Sequence, residues 1–70
     1  MKQIVSMMAG VVVEILVNSG DAVTDGMDVA ILESMKMQLP VASDQEGKVT
    51  EVKVAIGDFV NEGDVLMVLG

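Results

Sequence analysis

Gly10-Val11-Val12-Val13-Glu14-Ile15-Leu16-Val17 is answered by Gly47-Lys48-Val49-Thr50-Glu51-Val52-Lys53-Val54, and the correspondence continues beyond both segments. Gly10 meets Gly47, Gly20 meets Gly57 and Gly26 meets Gly63, each pair 37 residues apart. Val12/Val49, Glu14/Glu51, Val17/Val54, Asp21/Asp58, Val23/Val60 and Leu32/Leu69 are identical at the same offset. Setting Gly10–Glu33 on Gly47–Gly70 gives nine identities in 24 ungapped positions. Unrelated segments of that length would share about one or two. The chain is two copies of one unit, and Lys36 lies in the connector, within Glu33-Ser34-Met35-Lys36-Met37.

No helical pattern runs through either copy. Apolar residues come in short, valine-rich runs broken by Asn18-Ser19-Gly20-Asp21, Asp25-Gly26, Ser43-Asp44, Ile56-Gly57-Asp58 and Glu62-Gly63. Such runs favour strands, and glycine supplies the positive φ of tight turns. Strands are expected near 3–6, 11–17, 28–33, 37–41, 48–54 and 64–69, with short ones near 21–24 and 58–61. Pro40 fits an edge strand or a strand end. In the second copy the apolar positions 49, 52 and 54 break the period of two, which predicts a bulge near Thr50-Glu51. The inward set is then Val49, Val52 and Val54, matched by Val12, Ile15 and Val17, with Val29/Leu66 and Ile31/Val68 continuing the core. Two four-strand units with one apolar face each bury those faces together. The expected fold is all-β: a flattened barrel or sandwich of two four-stranded sheets with pseudo-two-fold symmetry, a barrel-sandwich hybrid. Residues 1–70 are expected to form a single domain.

The 70 residues contain no cysteine and no histidine, so no disulfide and no zinc-type staple is available. Stability has to come from a dense aliphatic core: 51% of residues are hydrophobic and Phe59 is the only aromatic. Eleven acids against four lysines give a net charge of −7, a poor surface for nucleic acid or anionic membrane. Met1-Lys2-Gln3-Ile4-Val5 opens no long apolar run. The expected setting is cytoplasmic, and the expected state a monomer. Asp21, Asp28, Glu33, Asp58 and Asp64 have no calcium-loop spacing and read as turn formers and solvated charges, so neither a catalytic residue nor a metal site is assigned.

Glu33-Ser34-Met35-Lys36-Met37 resembles the attachment motif of biotinyl carrier domains, usually Glu-Ala-Met-Lys-Met, with Ser34 in place of alanine. Val17-Asn18-Ser19-Gly20-Asp21-Ala22-Val23 and Val54–Asp64 resemble the valine, glycine-aspartate and valine segments that flank it. The likeness covers nearly the whole chain and is close to small stand-alone bacterial biotin/lipoyl attachment proteins. It implies a carrier rather than an enzyme, with biotin amide-linked to Lys36, which swings carboxyl groups between active sites. Glu33, Ser34, Met35 and Met37 would form the motif read by a biotin protein ligase. Biotin carboxylase and carboxyltransferase components would be the other partners. Lipoyl domains share the fold but typically carry Asp-Lys-Ala at this point, so Met35 and Met37 favour biotin, with lipoate as the alternative.

A lysine amine is a cation at neutral pH, so a ligase must remove a proton before it attacks an activated carboxyl group. With no histidine in the chain, the ligase supplies that base. A tethered arm raises the local concentration of its cofactor at two active sites. The plain reading of Lys36 is an exposed lysine in a β-turn, and Met35 and Met37 then only fill gaps at strand ends. Glu33 is either read by the ligase or merely screens the amine. A further alternative is an unmodified barrel-sandwich module that binds other proteins.

Comparing the copies makes Val11, Val13 and Leu16 the counterparts of Lys48, Thr50 and Lys53. These three are expected to face outward as an apolar stripe, unless Met7 or Met8 folds over them.

Overall fold

The computed structural model describes residues 2–70, so Met1 of the expected domain falls outside the described residues. Eight strands follow in order: β1 Lys2–Val5, β2 Gly10–Ile15, β3 Ala22–Val23, β4 Asp28–Ser34, β5 Met37–Ala42, β6 Gly47–Val52, β7 Phe59–Val60 and β8 Val65–Leu69. All eight expected strands are present, including the two short ones. One sheet has the order β1-β8-β6-β3 and the other β5-β4-β2-β7. Every pairing is antiparallel.

The offset of 37 reproduces the hydrogen-bond ladder as well as the residues. Val12↔Leu32, Glu14↔Ile31 and Ile15↔Ala30 become Val49↔Leu69, Glu51↔Val68 and Val52↔Met67. Gly10↔Val60 becomes Val23↔Gly47. The register shifts between Val12 and Glu14, and again between Val49 and Glu51, which locates the expected bulge in both copies. The turns repeat too. The Asp21 carboxylate accepts from the Asn18 N–H at 2.8 Å, and the Asp58 carboxylate accepts from the Ala55 N–H at 2.9 Å. Asp64 does the same for the Asn61 N–H at 2.8 Å. These acids stabilise turns, as their spacing suggested.

The repeat is longer than the 24 positions first aligned. β1 pairs with β8 as β5 pairs with β4, so Ile4 and Val41 are equivalents, both buried. Ser6 and Ser43 follow, both buried, each hydroxyl donating to a carbonyl two residues on, Met8 and Gln45.

The copies also interleave. β1 and β3 come from the first half but sit in one sheet with β6 and β8 of the second; the other sheet is composed in reverse. Two self-contained units stacked face to face, the simplest expectation, would have paired β1 and β3 within their own half; instead β1 is bonded to β8 and β3 to β6.

The core is the layer between the sheets. Val12, Val17, Val23, Val29, Leu32 and their equivalents Val49, Val60, Leu66 and Leu69 are at most 2% exposed, with Ile15, Val52, Val54 and Met8 packed against them. Each buried valine or leucine contributes about 1.5–3 kcal/mol, which replaces the missing staple. One expected detail is corrected. Leu32 and Leu69 point into the core where Ile31 and Val68 were expected. Opposed residues share a face, and the bulge makes Glu14 and Glu51 the partners of Ile31 and Val68, so both lie on the outer side. Ile31 is only half-buried there, whereas Val68, 5% exposed, is buried as expected although it lies outside the main core cluster.

Candidate functional site

β4 and β5 meet in a hairpin whose last pair is Ser34↔Met37, leaving Met35 and Lys36 as a two-residue loop. A loop this short matches the twist of its strands in a type I′ or II′ turn, and type I′ sets both central residues at φ above zero, the geometry that normally selects Asn-Gly. Met35 has φ 54° and Lys36 has φ 65°. They are the only non-glycine residues with positive φ among the described residues. Gly20, Gly26, Gly57 and Gly63 occupy the other positive-φ positions. A side chain in this region costs roughly 1–2 kcal/mol per residue. The turn is held in place by the long β4–β5 ladder beneath it. Backbone strain that survives only because its surroundings impose it marks functional positions more often than structural ones.

The result is maximal display. Met35 is 92% exposed and Met37 59%. Lys36 is exposed, and the one ion pair among the described residues joins Lys53 to Glu51 at 3.2 Å, elsewhere on the barrel. Glu33 is exposed on the outer side of β4, opposite Gln38 and Val11, while Ser34 is half-buried at the hairpin base. The five residues of the motif are therefore brought together, with Lys36 at the tip. The other lysines are placed differently. Lys2 is in β1, where its Nζ donates to the Glu46 carbonyl at 2.7 Å. Lys48 is in β6, and Lys53 lies just past β6 with its N–H still bonded to the Leu66 carbonyl at 2.8 Å.

Gly10 is a contributor that the motif alone does not reveal. A Cβ there would sit 2.8 Å from the Glu33 carbonyl oxygen, so β2 approaches the hairpin base only because the side chain is missing. Its sequence signal was the identity with Gly47 at the offset of 37, to which no role was attached. No cluster of three or more metal-ligating side chains occurs among the described residues, and no helix there is long and apolar enough to cross a membrane.

The family described as biotin-requiring enzyme matches residues 2–69. A biotin/lipoyl attachment protein of Bacillus subtilis is 55% identical over 62 residues, 89% of this chain and 85% of that protein. The mitochondrial propionyl-CoA carboxylase alpha chain of Homo sapiens is 44% identical over 64 residues, 91% of this chain but 9% of that one. A crystal structure of Kluyveromyces lactis urea carboxylase superposes with a TM-score of 0.89 at 30% identity, covering 99% of this chain and 6% of that one. The chain thus spans a small part of the carboxylases it resembles and most of the small attachment protein.

Proposed function

From the premise that this chain belongs to the biotin-requiring enzyme family, as an attachment domain homologous to those of carboxylases, we propose that Lys36 carries biotin in amide linkage and acts as a swinging arm. The observation that carries this reading is the strained Met35-Lys36 loop, which spends stability on holding one unpaired lysine at the extreme of the hairpin. The residues fit the group: an exposed amine on a four-carbon stem leaves room for an acylated arm, and no neighbour competes for it.

The Lys36 Nζ, deprotonated by a base of the ligase, attacks the carboxyl carbon of biotinyl adenylate and forms an amide as the adenylate leaves. The charge on Lys36 is lost, so the chain moves from −7 to one unit more negative. Attached biotin supplies a ureido nitrogen that accepts and releases a carboxyl group. The protein's own part is reach and orientation: the β4–β5 ladder fixes the base, and Met35, Met37, Glu33 and Ser34 present the surface that a biotin protein ligase reads. The partners of the loaded carrier are biotin carboxylase and carboxyltransferase components, and the chain itself catalyses nothing.

A lipoyl adduct on the same lysine is the second reading, since the name of the Bacillus subtilis relative covers both groups. Intact mass of the chain from its native cell separates biotin, lipoate and no modification. Replacing Met35 with Asp and Met37 with Ala should slow biotinylation and favour lipoylation. Equal biotinylation rates before and after would show that the hairpin's position, rather than its methionines, selects the ligase.

A further inference from the structure

The two sheets share a common inner pattern and differ on their outer faces. Val12 points inward, so Val11 points outward, together with Phe59 opposite it on β7. The next outward row pairs Ile31 with Pro40, beside Val13 at the β2 bulge. Leu16 continues that side past the end of β2, 42% exposed, and Phe59 is 62% exposed. Met7 does not cover this face, being 78% exposed itself, and Met8 packs on the core. On the first sheet the equivalents of Val11, Val13, Leu16, Pro40 and Phe59 are Lys48, Thr50, Lys53, Gln3 and Ala22; only Ile31 keeps an apolar counterpart, Val68. The charges divide in the same way. Lys2, Lys48 and Lys53 lie on or beside strands of the first sheet, whereas the strands of the second carry only Glu14, Asp28 and Glu33.

We propose that the outer face of the second sheet docks the enzyme component that loads a carboxyl group onto the arm of Lys36, through an apolar patch of that partner bordered by Lys or Arg. This rests on the carrier reading above. Continuity with the arm supports it, because the Phe59–Val11–Glu33–Gln38 row is adjacent to the Ser34–Met37 pair that closes the hairpin. An enzyme receiving the arm therefore has this face beside it. Charge excludes the simplest competitor: two copies joined by this face would oppose Glu14 and Glu33 to themselves, with no strand lysine to receive them. Size suits a visitor. Six side chains fall well below the roughly 20–30 residues that each side contributes to a stable complex. A ligase acts once on each chain, whereas a loading enzyme must bind and release the carrier in every turnover.

The test is a titration of methyl-labelled, unmodified chain with a purified biotin carboxylase subunit, followed by NMR. The methyl signals of Val11, Val13, Leu16 and Ile31 should shift or broaden while that of Val68 stays. In parallel, a biotinylated variant copying the other sheet (V13T, L16K and F59A) should show KM for carboxyl loading raised roughly ten-fold with kcat unchanged. Its ligation rate and melting temperature should match wild type, and Glu14→Gln should flatten the salt dependence of KM. If the triple variant does not fold, F59A alone serves, since Phe59 is exposed and its counterpart is already alanine. No methyl response, a response confined to the hairpin or to Val68, or a KM within two-fold of wild type overturns the proposal. So does a concentration-dependent wild-type dimer that the variant abolishes, which would assign the face to a second copy. Failure of the carrier reading looks different: the subunit still shifts these methyls, but Lys36 receives no biotin.

Discussion

The hairpin between β4 and β5 and the meeting of β8 with β1 are the same place in the architecture, one in each sheet. Leu32↔Leu39 in one ladder is the equivalent of Leu69↔Lys2 in the other. From there the first ladder continues through Glu33↔Gln38 and Ser34↔Met37 and closes in Met35-Lys36, while the other reaches the ends of the chain. The barrel is thus built once with a tight turn closing this pair of strands and once, at Lys2↔Leu69, without one. The core around both is alike. The strained turn is not what packs the barrel, and its conformation is best understood as serving the residue it displays.

The largest effect expected from breaking this comparison is chemical. Lys36→Ala should abolish biotin incorporation, and Lys36→Arg should do the same because guanidinium is not the required nucleophile. Both should leave the unfolding free energy within about 0.5 kcal/mol of wild type, as for an exposed side chain. Intact mass and a urea melt on the same sample check the two halves of the statement.

Next come the equivalent core residues. Leu32 and Leu69 are both fully buried, one beneath the hairpin and one beneath the chain ends. Truncating either to Ala should cost about 2–5 kcal/mol. Costs that agree within about 1 kcal/mol would show that the two ends are energetically as alike as their pairing. A much cheaper Leu69→Ala would mean that the β1–β8 pair, which has no turn to close it, is already loose.

Gly10→Ala against Gly47→Ala is a finer comparison. The new Cβ meets the Glu33 carbonyl oxygen at 2.8 Å in the first case, and the Gly70 carbonyl oxygen and the Leu69 Cβ, both at 3.2 Å, in the second. The first contact is below any ordinary Cβ separation and Glu33 is tied on both sides in its sheet, whereas both contacts at Gly47 need a shift of only a few tenths of an ångström. Gly10→Ala should cost roughly 1–3 kcal/mol, as overpacking does, and Gly47→Ala less. Equal melting temperatures would refute the idea that the closed end is the rigid one.

The smallest expected effect is a gain. Met35→Gly keeps the left-handed φ without the Cβ and should stabilise the chain by about 0.5–1 kcal/mol, the relief of strain less the entropy glycine adds to the unfolded chain. The same variant should be biotinylated more slowly. A loss of stability would show that the turn is relaxed as it stands.

Much of this was legible in the residues. Valine-rich runs punctuated by Gly-Asp gave all eight strands, and the spacing of Val49, Val52 and Val54 gave the bulge. The match of residues 2–9 with 39–46 was not visible, because Ser6/Ser43 is the single identity there and the remaining pairs share burial rather than chemistry. The exchange of Ile31 for Leu32 in the core followed from the bulge, whose effect on the partner strand cannot be counted along one strand alone. The interleaving was hidden for a deeper reason: a repeat says which segments are alike, not which ones bond. Met35 and Lys36 carry no preference for positive φ, so nothing in their residue types announces the primed turn that the two-residue loop, fixed by the Ser34↔Met37 pair, requires.

That interleaving makes the chain an obligate heterodimer of two near-identical segments that happen to be covalently joined. β1 and β3 find their partners only in β8 and β6, so neither half can close a sheet alone. Folding is then an act of mutual recognition between halves, dominated by distant pairings and correspondingly slow. A single break in the connector should turn one protein into two complementing fragments whose association depends on concentration. The connector of Ser34, Met35, Lys36 and Met37 supplies the effective concentration that spares the intact chain this fate. The few residues that display the lysine are also the tether that holds the two halves together.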